Sequence, residues 1–109
     1  MNTDFDLATV ANMSDLVDYA KDAIVSKTLI KKETGTVTLF AFDKGQGLSE
    51  HTAPFNAMVQ VIDRDAIIII DKKEHLVKEG EFIIMPANIT HSVDAREQFK
   101  MVLIMIKSQ

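Results

Sequence analysis

Eight short apolar segments joined by polar turns constrain this chain more than any other feature. IVSKTLI (24–30), TVTLFAF (36–42), AMVQVI (57–62), AIIII (66–70), HLV (75–77), EFIIM (81–85), HSV (91–93) and FKMVLIMI (99–106) are rich in β-branched and aromatic residues. Such residues suit an extended, half-buried backbone. The breaks KETG, DKGQG, DRD, DKKE, KEG and PAN carry Gly, Asn, Asp and Pro, which turn a chain at low steric cost. The spacing leaves no room for crossover helices, so the strands are expected to pair antiparallel, as a sandwich or barrel. Ahead of them, Ser14 with Asp15 behind it predicts the cap of a short helical turn through Leu16, Val17 and Tyr19.

Two of the segments do not alternate. A half-exposed strand should place polar residues at every second position, yet AIIII and MVLIMI are apolar throughout. Their second faces need cover, and in a chain of 109 residues another copy of itself is the expected source, as a homodimer. The rest of the composition narrows the partners. Net charge is −4 with no basic run longer than two residues, which argues against nucleic acid. The absence of cysteine excludes disulfides, thiolate metal sites and a cysteine nucleophile. No apolar stretch is long enough to span a bilayer and the first residues lack a secretory pattern, so a cytoplasmic protein with no membrane partner is expected. No G-x-S-x-G elbow and no phosphate-binding glycine loop at a helix start occurs, which weakens hydrolase and nucleotide-dependent readings.

Glycine, proline and histidine spacings carry a further signal. Gly45 is followed after five residues by His51. Gly80 is followed after five residues by Pro86, and His91 lies five positions beyond. The stretch from about 40 to 106, and GEFIIMPANITH above all, resembles the paired motifs of the cupin superfamily, in particular its small single-domain bacterial members. That resemblance implies an all-β fold, an antiparallel cupin-type β-barrel (a jelly-roll-like double-stranded β-helix) with a short N-terminal helical turn. The whole of 1–109 is then one domain, with an N-terminal extension over 1–23 and the barrel over about 24–107. Departures from the motifs are as informative. Ala53 stands where the second histidine is expected, Ala57 where the glutamate is expected, and Arg64, Asn88 and Ala95 replace a glycine, a glycine and an asparagine. Asparagine tolerates the left-handed backbone that glycine would supply at 88. Arg64 in a tight hairpin would not, so a different turn is expected there.

The resemblance implies a metal held by three imidazoles and a carboxylate, and here only His51 and His91 remain of that set. The expectation is therefore a weakly held divalent transition metal (Zn, Ni, Fe, Mn or Cu) at those two histidines, or none. Glu50 is a remote third donor, because neighbouring residues of a strand point to opposite faces. His75 is expected to be a partly buried histidine with a local hydrogen bond rather than a ligand. The lost side chains leave space that Phe40, Phe42, Ala53, Phe55, Ala57, Met85, Met101 and Met105, with Met58, are expected to line or shrink, methionine being adaptable to irregular gaps. An apolar cavity with a few convergent polar groups suits a small molecule. Two functions follow from this: a small-molecule binding module, favoured because the carboxylate is missing, and a metal-dependent oxygenase or isomerase.

Overall fold

The computed structural model describes residues 5–107, and in them nine strands form two facing antiparallel sheets. The strands are β1 Ile24–Lys32, β2 Gly35–Phe42, β3 Gly47–His51, β4 Ala57–Asp63, β5 Ala66–Ile70, β6 Lys73–Val77, β7 Phe82–Met85, β8 His91–Asp94 and β9 Phe99–Ile106. One sheet runs β1-β2-β9-β4-β7 and the other β3-β8-β5-β6. Eight of the nine match the expected segments. The ninth, β3, is GLSEH, a mostly exposed edge strand whose composition resembles a turn. It pairs with β8, and its Leu48 packs against the core between the sheets.

Alternation decides what each sheet buries. Phe42, Val59, Val61, Ile68, Phe99 and Met101 sit between the sheets with almost no exposure. Phe42 and Phe99 stack with ring centroids 4.7 Å apart, and Phe40 extends the stack at 5.8 Å. AIIII, uniform in sequence, alternates in burial. Ala66, Ile68 and Ile70 face inward, whereas Ile67 on the other face is flanked by Arg64, Leu76 and Arg96. Ile67 and Ile69 thus remain partly exposed, beside an open groove bordered by those side chains.

The outer face of the five-stranded sheet has a second cluster. Leu29, Leu39, Ala41 and Val102 are buried there under Val17, with Phe5, Leu16 and Tyr19 beside it. The N-terminal segment thus covers part of the second face of β9, which the sequence had assigned to a partner copy. Polar contacts fasten it. The Tyr19 hydroxyl donates to Asp63 Oδ2 at 2.6 Å, and Lys100 Nζ donates to the Ser14 carbonyl at 2.5 Å while lying 5.0 Å from the Tyr19 ring centroid. The turn in this segment is a 3-10 turn over Met13–Asp15. Asn12 caps it rather than Ser14, its side chain accepting from the Ser14 N–H.

The turns resolve the irregular positions. Asp71 and Lys72 both have positive φ between the paired residues Ile70 and Lys73, the conformation that a two-residue hairpin needs. Arg64 adopts φ 61° at the corner where the chain leaves one sheet for the other, with its N–H donating to Glu79 Oε1. The corner is thus not a hairpin within one sheet, although the arginine still takes the left-handed conformation.

Candidate functional site: a facing histidine pair over an apolar cavity

His51 ends β3 and His91 opens β8, and the two are direct partners in the sheet. A shift in register between Leu48 and His51 precedes the pair, and such irregularities re-aim side chains at strand ends. His91 is buried and His51 is exposed. His51 Nδ1 lies 2.7 Å from the Ser49 carbonyl oxygen, and His91 Nδ1 lies 3.2 Å from that of Ile89. A carbonyl only accepts, so a ring nitrogen bonded to one must carry the proton, which favours the Nδ1–H form of each ring. In that form each Nε2 has a bare lone pair; the two Nε2 atoms are 3.1 Å apart, within hydrogen-bonding distance, with the rings inclined at 71°. Facing lone pairs repel unless a proton, a cation or a hydrogen-bond donor stands between them. Burial, and then the charge of nearby His51, push the His91 pKa below the usual imidazole value, against a weaker pull from the Ile89 carbonyl.

Behind the pair lies an enclosed cavity of about 60 Å³, lined by Ala53, Ala57, Met85, Met101 and Met105 together with Leu48, Val59, Val93 and Leu103. Ala57 pairs with Met85 on one side and with Met105 on the other. The space beside the small residue is therefore bounded by two thioethers. The loops around the mouth are tied by backbone contacts. The Asn88 N–H donates to the Ala53 carbonyl at 2.7 Å, and the Ala87 N–H donates to Asn56 Oδ1 at 2.8 Å. Asn88 has φ 65°, the left-handed conformation expected of it in place of glycine.

Three of the expected lining residues lie elsewhere. Phe40 and Phe42 belong to the aromatic stack with Phe99, and Phe55 borders a groove with Pro54, Met58 and Ile84 on the outer face. Residue type suggested these phenylalanines, but strand parity and the stacking geometry place them. The same parity would have found two residues that were missed, since Val59 shares its face with Ala57, and Leu103 shares its face with Met101 and Met105.

The other polar candidates do not join the pair. Glu50 binds Lys72, with Nζ 3.0 Å from Oε2. His75 lies on β6, the opposite edge of the sheet from β3. Its Nδ1 is buried with no hydrogen-bond partner among the described residues, contrary to the local bond expected. No group of three or more His, Cys, Asp and Glu side chains among the described residues could hold a metal ion. The side chains present thus do not fit an ion that requires three imidazoles and a carboxylate.

No family model and no curated protein matches the chain. Solved structures do. A conserved protein of unknown function from Streptococcus pyogenes is 35% identical with a TM-score of 0.91, over 97% of this chain and 93% of that one. A cupin 2 conserved barrel domain protein from Leptotrichia buccalis is 42% identical with a TM-score of 0.86, over 89% of this chain. This chain spans about half of that protein, 47% of its length. A cupin superfamily protein from Desulfitobacterium hafniense, 18% identical, shares the fold over 99% of both chains with a TM-score of 0.89. With the barrel and the motif histidines, these likenesses establish that the chain belongs to the cupin superfamily.

Proposed function

We propose that the chain binds a small molecule, holding its polar head between His51 and His91 and its apolar part against the methionine-lined cavity. The observation that carries this reading is the 3.1 Å approach of the Nε2 atoms of two histidines that both line the cavity. A ligand hydroxyl or N–H would give each lone pair, or one of them in turn, the donor that it lacks. The cavity limits the size. At about 60 Å³ it is less than half of an apolar cavity of about 150 Å³ that takes benzene, so the enclosed part suits roughly two or three non-hydrogen atoms. At no more than about 1.5 kcal/mol per atom, the enclosed part would contribute about 4 kcal/mol, a Kd of about 1 mM on its own. A larger ligand would extend through the mouth beside exposed His51.

A metal-dependent enzyme is the second reading, and the same spacing favours it. Two nitrogens 3.1 Å apart subtend about 98° at an ion held about 2.05 Å from each. Against it stand the missing carboxylate and the engagement of Glu50 by Lys72. Thermal unfolding in a chelator, with phenol and a set of small alcohols at millimolar concentration, separates the two. Stabilisation that persists in the chelator and disappears in His51→Ala supports binding. Turnover of small carbonyl or phenolic compounds only with added iron, manganese or nickel, lost in both His51→Ala and His91→Leu, would establish the enzyme instead.

A further inference from the structure

The histidine pair shares its cavity with three thioethers and, among the described residues, with no carboxylate. Met85, Met101 and Met105 line it alongside His51 and His91, and the remaining lining residues are aliphatic. Two of the thioethers flank one spot. Ala57 pairs directly with Met85 on β7 and with Met105 on β9, and side chains paired in this way start about 5 Å apart. An alanine fills little of that interval, which leaves room beside it for both sulfurs. Ala57 is also the position where the cupin motif carries its glutamate. The chain thus has soft, uncharged sulfur on either side of the place where the motif has a hard, anionic oxygen.

We infer that this cavity takes a soft monovalent cation, cuprous copper, held by the Nε2 atoms of His51 and His91 and the Sδ atoms of Met85 and Met105. Charge and softness each select that ion over a divalent one. The cost of moving an ion into an apolar enclosure rises with the square of its charge, so a doubly charged ion pays about four times as much as a singly charged one of similar size. A carboxylate would offset the second charge, but all four donors are neutral and Glu50, beside His51 in the chain, is engaged by Lys72. Thioether sulfur is a preferred donor to Cu(I), whereas manganese and other hard ions favour oxygen. The 3.1 Å between the two Nε2 atoms lets one small ion touch both. Three rotatable bonds in each methionine let the sulfurs close on it without moving the strands. The cation takes the place of a ligand's polar head, so this inference does not rest on the small-molecule reading.

Silver(I) shares the preferences of Cu(I) and is stable in air, so it serves as the probe. The whole chain is titrated with silver nitrate, and separately with zinc nitrate, in chloride-free buffer at pH 8, with calorimetry and the methionine methyl NMR signals as readouts. The first equivalent of silver should shift the methyl signals of Met85 and Met105 and bind at least tenfold more tightly than zinc. The double variant Met85→Leu with Met105→Leu keeps the volume of the cavity lining, and it should weaken silver at least tenfold while changing zinc little. Met58→Leu, on the outer-face groove, should bind silver like wild type. Zinc bound as tightly as silver overturns the inference, and so does a double variant with wild-type silver affinity. A first equivalent that leaves both methyl signals in place overturns it too, and that readout decides alone if the double variant fails to fold. Failure here beside alcohol stabilisation that persists in a chelator would remove the cation and leave the small-molecule reading standing.

Discussion

Acidification should destabilise the fold through His91, and the size of the effect follows from its surroundings. The buried ring is held neutral, first by burial and then by charge on His51 3.1 Å away, so its folded pKa lies below the 6.5 of the free side chain. The unfolded chain therefore takes up a proton at a pH where the folded chain does not. The contribution of His91 is complete above about pH 7, is lost as pH falls through 6.5, and levels off below the folded pKa. The steepest possible loss is about 1.4 kcal/mol per pH unit, and the total is about 1.4 kcal/mol for each unit by which the pKa is lowered. In a domain of this size, 1 kcal/mol moves Tm by roughly 4 °C. Urea unfolding between pH 7.5 and 5.0, compared for wild type and His91→Leu, isolates the effect because carboxylates elsewhere contribute to both. The wild-type curve should fall more steeply than the variant's as pH drops through 6.5. Parallel curves, or a wild type that gains stability on acidification relative to the variant, would refute the reasoning.

Other perturbations should separate core, fastening and orphaned groups. Phe99→Ala removes a fully buried ring from the aromatic stack and should cost about 3–5 kcal/mol in chemical denaturation. Tyr19→Phe deletes the hydroxyl bonded to Asp63 and should cost about 1.5–3 kcal/mol, with earlier amide exchange at Val102 beneath the N-terminal segment. His75→Leu replaces a ring whose buried Nδ1 has no partner among the described residues, so Tm should hold or rise, and a fall of several degrees would show that the ring makes a favourable contact.

The barrel was legible because strand composition and turn residues agree along most of the chain, and each expected strand lies where such a segment falls. GLSEH escaped because an edge strand that buries mainly Leu48 has no apolar pattern to detect. The histidine pair was legible from glycine and proline spacings, but its geometry was not. Direct pairing of His51 with His91 depends on the register of two strands 40 residues apart in sequence. The same limit explains the phenylalanines. Phe42 and Met101 are equally apolar and equally buried, and only the register across β2 and β9 puts one in the stack and the other beside the cavity. Cover for MVLIMI was misassigned in part because fifteen residues of irregular N-terminal chain show no periodicity, although Val17 and Tyr19 fasten them across Val102 and Asp63.

The central claim is that His51 and His91 present two bare Nε2 lone pairs to one point. Long-range proton–nitrogen NMR of the imidazole rings at pH 8, in a chelator and then with zinc added in steps, tests it most directly. In the chelator both rings should show the proton on Nδ1, as their carbonyl partners require. With zinc, the Nε2 resonances of both should shift together while His75 stays unchanged. An Nε2–H tautomer in either ring in the chelator, or a response confined to one ring of the pair, would contradict the account.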